Sequence, residues 1–397
     1  MENLILKSEK KIRNAPIKFI RDILHEIDWT DRLIGIKGAR GVGKTTLVLQ
    51  YIRKELFGKT KILYVGLDDL YFADNRLYNL AADFASYGGT HLFLDEVHRY
   101  PDWSKEIKLI YDDIPELKVV FTGSSLLSII NAKADLSRRS VFYQIQGLSF
   151  REFLEFNNDF YFEKFSLQDF LTDHKDIAFE ISSKLKVLPL FKSYLNNGYF
   201  PFFKENPANY LSRLAEIVNM VLEVDIPAQR SIKREAIPKL KKLLYIISNS
   251  VPFKPNIQKL SEITGITRNT IVTYINYLEE AAILNLLHTD VAGIGYLRKP
   301  EKIYLENTNL NYALSDSKPE TGNLREAFFL NQLKKNHSLT YAKSGDFKVD
   351  DKYFFEIRGK NKTAKQIAGI SNAYIAADDI ETGIGNKIPL WLFGFLY

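Results

Sequence analysis

The stretch Gly38-Ala39-Arg40-Gly41-Val42-Gly43-Lys44-Thr45 constrains this chain more than any other, because it fills every fixed position of the pattern G-x-x-x-x-G-K-[ST]. The spacing has a chemical reason. Glycines accept positive φ, so the backbone can curl its N–H groups around phosphate oxygens. Lys44 supplies a point charge for the β- and γ-phosphates, and the Thr45 hydroxyl is a magnesium ligand. The flanks agree. Leu33-Ile34-Gly35-Ile36 reads as a short buried strand, and Thr46-Leu47-Val48-Leu49-Gln50-Tyr51-Ile52 reads as a helix whose positive end faces the phosphates. A nucleoside triphosphate with Mg²⁺ is expected on Gly38, Ala39, Arg40, Gly41, Val42, Gly43, Lys44, Thr45 and Thr46.

A loop of this kind needs a partner strand ending in carboxylates. His91-Leu92-Phe93-Leu94-Asp95-Glu96 is such a strand, the Walker B arrangement. Asp95 is expected to support Mg²⁺ with Thr45, and Glu96 to orient the attacking water. Lys61–Val65 and Lys118–Ser125 read as further parallel strands, which implies an α/β sheet with ligands at the strands' carboxyl ends. Thr122 or Ser124 is then placed either as a polar sensor of the γ-phosphate or as the cap of the next helix. Arg138-Arg139 precedes the alternating strand Val141–Ile145. An arginine there either neutralises transition-state charge, in cis or from a neighbouring subunit, or is a surface residue. The guanine-reading Asn-Lys-x-Asp pattern is absent, which favours ATP over GTP.

The 397 residues exceed one ordinary core and suggest two or three domains. The absence of cysteine removes disulfides, thiolate metal sites and thiol nucleophiles, and fits a cytoplasmic protein. His25, His91, His98, His174, His288 and His337 show no metal-ligand spacing and read as surface or packing residues. No signal-peptide core opens the chain. The run Leu390–Tyr397 is too short to span a bilayer and reads as a buried final strand, so no membrane partner is expected. A formal net charge of +6 permits a nucleic-acid partner without requiring one.

Four segments in order carry a family resemblance: Gly38–Thr46, Leu94-Asp95-Glu96-Val97-His98-Arg99-Tyr100-Pro101-Asp102-Trp103, Thr122-Gly123-Ser124-Ser125 and Gly147-Leu148-Ser149-Phe150-Arg151-Glu152-Phe153. Over essentially its whole length the chain resembles the prokaryotic AAA-superfamily ATPases with an N-terminal ATPase domain and a C-terminal domain of unknown function. The resemblance implies that Arg139, rather than Arg138, holds the family's arginine position. It also implies a helical lid, whose Gly-Tyr-Pro element Gly198-Tyr199-Phe200-Pro201 resembles, and a C-terminal domain opening near Pro300.

From about Asp159 to Pro227 the apolar spacing is helical. Arg230, Lys233, Arg234, Lys239, Lys241 and Lys242 then form a basic cluster opposed only by Glu235. Ile257–Ile266 and Thr267–Leu278, followed by Ala282–Leu287, read as a winged helix-turn-helix. Arg268, Asn269, Thr270 and Thr273 stand where base contacts arise in a DNA reader. The opposing reading is a packing or interaction module, since Glu279-Glu280 follows. Further on, Glu326 on a helix, Asp346 before the strand Phe347–Val349, and Glu356-Ile357-Arg358 resemble a restriction-endonuclease core. Arg358 stands in place of its lysine, and Lys360 shares that face only if the strand continues. A binding-only core is therefore preferred to an active nuclease.

The expected architecture is α/β: a P-loop NTPase parallel sheet (1–158), a helical lid (159–227), a winged helix-turn-helix (228–298) and a small α/β endonuclease-like domain (299–397). The expected activity is Mg²⁺-dependent ATP binding and hydrolysis by Lys44, Glu96, Arg139 and Ser124, driving a conformational switch. DNA, a protein partner or a second copy of the chain are the candidate partners. The alternatives are a nucleotide-gated interaction switch and a DNA-processing enzyme using Asp346 and Glu356.

Overall fold

In the computed structural model the described residues are 1–123, 136, 138–230, 232–250, 252, 254–289, 299–360, 367 and 369–397. They divide into two units, Met1–Gly147 and Leu148–Tyr397.

The first unit opens with helix α1 (Glu2–Asn14). Strand β1 (Leu33–Lys37) runs into the glycine-rich loop, and helix α2 (Lys44–Tyr51) leaves it. Then follow β2 (Ile62–Gly66), α3 (Leu77–Ser86), β3 (His91–Asp95), α4 (Trp103–Asp113), β4 (Lys118–Gly123) and β5 (Val141–Gln144). The strands form one parallel sheet in the order β2-β3-β4-β1-β5. This is the P-loop NTPase arrangement expected from the sequence. The inner strands are apolar runs rather than alternating ones, because helices cover both faces of such a sheet. Leu63, Val65, Leu92, Leu94, Val119 and Phe121 share a core with Leu77 and Leu80 of α3 and Ile107 and Ile110 of α4. Gly35 lets β5 close on β1, since a Cβ there would come 2.6 Å from the Phe142 ring.

Strand β2 is an edge, and α1 covers it. The Ser8 hydroxyl accepts from the Tyr64 N–H at 2.9 Å, and Lys7 pairs with Asp69 at 2.6 Å.

The second unit begins with α5 (Phe150–Asn158), whose start is a capping box: Ser149 and Glu152 each accept the other's backbone N–H. Helices α6 (Leu167–Lys184), α7 (Val187–Asn197), α8 (Tyr210–Met220) and α9 (Ile237–Ser248) follow. Helix α10 (Ile257–Thr264) ends at Gly265, φ 67°, and the Thr267 hydroxyl caps α11 (Arg268–Glu280). Strands β6 (Leu284–Leu287) and β7 (Lys302–Leu305) pair antiparallel. After α12 (Thr308–Leu314) and α13 (Thr321–Leu333), the strands β8 (Leu339–Tyr341), β9 (Phe347–Val349), β10 (Tyr353–Arg358), β11 (Ala373–Ala377) and β12 (Lys387–Pro389) build a second sheet. Its order is β12-β11-β10-β9-β8, antiparallel through β8–β10 and parallel through β10–β12. Phe329 of α13 packs on Phe347, Phe355 and Phe393.

The last apolar run departs from expectation. Leu390–Phe395 is a buried 3₁₀ helix, not a strand. Every residue from Leu390 to Tyr397 is buried, so no open face exists for strand-like alternation. Among the described residues no helix is long and apolar enough to cross a membrane.

Candidate nucleotide-binding site

The loop between β1 and α2 is shaped by its glycines. Gly41 and Gly43 take φ of 87° and 94°, a region that L side chains avoid. Gly38 has a different reason to be glycine: a Cβ would lie 2.3 Å from the Ile145 carbonyl oxygen. Buried Arg21 braces the loop from behind, donating to the carbonyls of Gln146 (2.6 Å), Gly147 (2.9 Å) and Val42 (3.4 Å). Lys44 is buried, and its Nζ donates to the Gly38 and Ala39 carbonyls, both at 2.9 Å. The expected phosphate lysine thus rests on the loop that would surround the phosphates.

Asp95, at the carboxyl end of β3, is the hub. Its Oδ2 accepts from the Thr45 hydroxyl at 2.7 Å and from the Tyr64 hydroxyl at 2.6 Å. Its Oδ1 accepts from the Thr122 hydroxyl. Burial, with the negative charge of Asp95 beside it, pushes the Tyr64 phenol well above its ordinary pKa, so it stays a donor. Thr122 also accepts the Glu96 N–H at 3.3 Å. Glu96 itself sits in the left-handed region, φ 55°, where β3 turns into a 3₁₀ turn over Val97–Arg99. His98, carried by that turn, brings Nε2 to 3.5 Å from Glu96 Oε2. Burial, aided by Arg99, Lys44 and Arg40, drops the His98 pKa to about 3, which leaves its imidazole neutral. A hydroxyl and a carboxylate in contact, Thr45 and Asp95, are the hard oxygen donors that magnesium takes.

The structure brings Lys44, Thr45, Asp95, Glu96 and Thr122 to one edge of the sheet. It does not bring Arg139 there. Arg139 precedes β5 at that strand's amino end, the opposite edge, and makes two hydrogen bonds to Asp112 at 2.8 and 3.0 Å. A cis role at the same chain's loop does not fit this place. Ser124 lies outside the described residues. Sequence reasoning passed over Arg21, Tyr64 and His98. Tyr64 is hidden in an apolar strand, and Arg21 acts on residues more than a hundred positions away. His98 carried a local signal, two residues beyond Glu96.

The C-terminal carboxylates have a different character. Lys302 of β7 pairs with Glu326 at 3.0 Å and Asp346 at 3.4 Å, and Tyr304 donates to Glu326 at 2.5 Å. Arg358 pairs with Glu356. Burial and the Asp346 charge raise the Glu326 pKa. Burial opposes the charge of Lys302, yet Glu326 and Asp346 outweigh it and raise its pKa. Among the described residues no three His, Cys, Asp or Glu side chains converge as a metal site. Strand β10 ends at Arg358, so Lys360 does not continue its face.

In the basic segment, Arg230 pairs with Glu280, Lys241 pairs with Glu223 at 2.6 Å, and Lys242 donates to the Ile263 carbonyl at 2.8 Å. Lys233, Arg234, Lys239, Arg268 and Asn269 are exposed. The Thr270 hydroxyl meets that of Thr267 at 2.8 Å, and the Thr273 hydroxyl donates to the Asn269 carbonyl at 3.0 Å.

Residues 30–154 match the family described as AAA domain, and residues 188–321 match a domain of unknown function, DUF8612. No curated protein matches the chain. Among solved structures, a Walker-type ATPase of Pyrococcus abyssi overlaps with 11% identity and a TM-score of 0.43, covering 77% of this chain and 95% of its own. AMPPCP-bound DnaA from Aquifex aeolicus overlaps with 16% identity and a TM-score of 0.27, covering 66% and 86%. PCH-2 of C. elegans gives 12% and 0.27, covering 70% and 66%. These overlaps are loose; what marks the first unit is the AAA-domain match together with its strand order and its loop. Residues 30–154, most of them in the N-terminal unit, match the AAA domain family, and that unit's strands form a P-loop NTPase sheet.

Proposed function

We propose that the chain binds ATP with Mg²⁺ and hydrolyses it, using the change of nucleotide state to alter a partner surface on its C-terminal unit. The observation that carries this reading is the convergence of Thr45 and Thr122 on Asp95, beside Lys44 and Glu96, at the end of the loop. Gly38–Thr46 would hold the phosphates, with Lys44 leaving the Gly38 and Ala39 carbonyls for phosphate oxygens. Thr45 and Asp95 would hold Mg²⁺, which when bound offsets phosphate charge. Glu96 would orient the water and take its proton. Thr122, tied to both Asp95 and the Glu96 N–H, keeps the two carboxylates in register. Arg139, from the opposite edge, would serve the site of another copy in a homo-oligomer.

The test is Mg²⁺-dependent phosphate release by the wild type, Lys44→Ala and Glu96→Gln, with and without duplex DNA. Turnover lost in both variants, with ATP binding kept in Glu96→Gln, supports the reading. Turnover that ignores Lys44 sinks it. ATP binding without turnover favours a nucleotide-gated switch.

DNA is the second reading, supported by exposed Arg268 and Asn269 at the start of α11 after a glycine turn, in a winged helix-turn-helix order. The internal pairing of Arg230 and Lys241 weakens the basic cluster, so backbone contact is the form proposed. Loss of DNA-stimulated turnover in Arg268→Ala is its check. Nuclease chemistry is not proposed, because Lys302 and Arg358 already neutralise the carboxylates it would need.

A further inference from the structure

A carboxylate that takes a proton from water must be both aimed and basic. The backbone of Glu96 is fixed: its N–H is on Thr122, and its carbonyl accepts the Arg99 N–H at 2.9 Å, closing the 3₁₀ turn. The buried Val97 side chain anchors that turn in the core. The side chain of Glu96 still has rotatable bonds between this backbone and its carboxylate. The turn brings one group back against it, the imidazole of His98.

We propose that His98 is a positioning residue for Glu96, its Nε2 holding the Glu96 carboxylate in the orientation that receives the water proton. The inference rests on the ATPase reading and names a residue which that reading leaves without a role. Three observations carry it. The His98 Nε2 lies 3.5 Å from Glu96 Oε2, one small side-chain adjustment from a hydrogen bond. The His98 side chain is only 3% exposed while that of Glu96 is 22% exposed, so the imidazole is the fixed member and the carboxylate the one that faces solvent. The imidazole is also neutral, because burial and the cations Arg99, Lys44 and Arg40 disfavour its protonation. Neutrality matters for the chemistry. An imidazolium would form an ion pair that lowers the basicity of Glu96, whereas a neutral N–H aims the carboxylate and leaves it able to accept a proton.

His98→Ala is expected to lower kcat on the order of tenfold, as a misaimed base does, while nucleotide affinity stays within about twofold. His98→Gln, which keeps a neutral N–H donor, is expected to recover most of the loss. Circular dichroism and thermal midpoints show whether each variant folds, and His98→Gln carries the test if His98→Ala does not. An independent readout is the imidazole ¹⁵N resonance of His98, assigned by its disappearance in His98→Gln. It is expected to move in Glu96→Gln while the other histidine resonances stay. A folded His98→Ala with unchanged kcat, or a loss confined to KM, overturns the proposal. So does a His98 resonance that ignores Glu96→Gln. A wild type without Lys44-dependent turnover instead removes the ATPase reading, and the resonance then decides the His98–Glu96 contact by itself.

Discussion

Tyr64 donates its hydroxyl to Asp95 Oδ2 at 2.6 Å, the same oxygen that Thr45 reaches from the phosphate loop. One donor comes from the middle of β2 and the other from the first turn of α2, so the carboxylate is fixed before any ligand arrives. A metal ligand with its rotamer set in advance loses little freedom on binding.

Tyr64→Phe therefore keeps the ring packing and removes one donor from a buried charge. A hydrogen bond to a charged group contributes about 1.5–3 kcal/mol. The variant is expected to fold with a lower thermal midpoint and to need several-fold more Mg²⁺ for half-maximal turnover. A magnesium titration of phosphate release checks this, and an unchanged midpoint would count against the role given to Tyr64.

Gly38→Ala tests the loop by size alone. The added methyl would meet the Ile145 carbonyl oxygen at 2.3 Å, backbone that cannot swing aside. The loop must shift, and ATP affinity is expected to fall by at least about tenfold, the loss that a displaced contact worth roughly 1.4 kcal/mol produces. Titration with a fluorescent ATP analogue reads the affinity, and circular dichroism verifies that the sheet survives.

The positions of the first unit's inner strands were legible in the sequence because each is an apolar run bounded by turn residues, that of β5 because its residues alternate, and the P-loop because its glycines answer a backbone demand. The partners of Asp95 were not. Tyr64 looks like any core aromatic until its strand is placed beside β3, with Gly66 opposite Asp95. The place of Arg139 was hidden for a related reason. Its distance along the chain from β5 is short, but strand polarity puts it at the far edge of the sheet. In the C-terminal unit the carboxylates Glu326, Asp346 and Glu356 were visible, while Lys302, which pairs with two of them, enters from a strand 24 and 44 residues away in sequence. Side-chain pairing across elements is a tertiary property, and a one-dimensional pattern does not contain it.

Lys302→Met is the matching test there. Removing the cation leaves Glu326 and Asp346 close together and unbalanced, a change that costs about 3–5 kcal/mol for a buried pair. The thermal midpoint is expected to drop at neutral pH and to recover partly in acid, where protonation of Glu326 relieves the repulsion. A midpoint equal to the wild type at pH 7 would show that Lys302 bears none of that load.

Glu279 gives a pH signature. Burial, partly opposed by the Leu286 N–H and Lys334, pushes its pKa up from 4.5 to about 7. Between those values the folded chain keeps a proton that the unfolded chain releases, so stability falls as pH rises through that window and levels off above it. Glu279→Gln is expected to raise the thermal midpoint at pH 8 and to match the wild type near pH 4.5. A benefit that does not change with pH would assign the effect to something other than this carboxyl group.

Helix α1 lies along β2 and takes up the Tyr64 N–H through Ser8. That makes the first helix a guard rather than an ornament. An open strand is a template on which any extended chain can lay itself, and a protein full of partly folded siblings during synthesis offers many such chains. A shortened chain lacking residues 2–14 would present its ATPase sheet to its neighbours as an invitation to aggregate, even with every nucleotide contact intact.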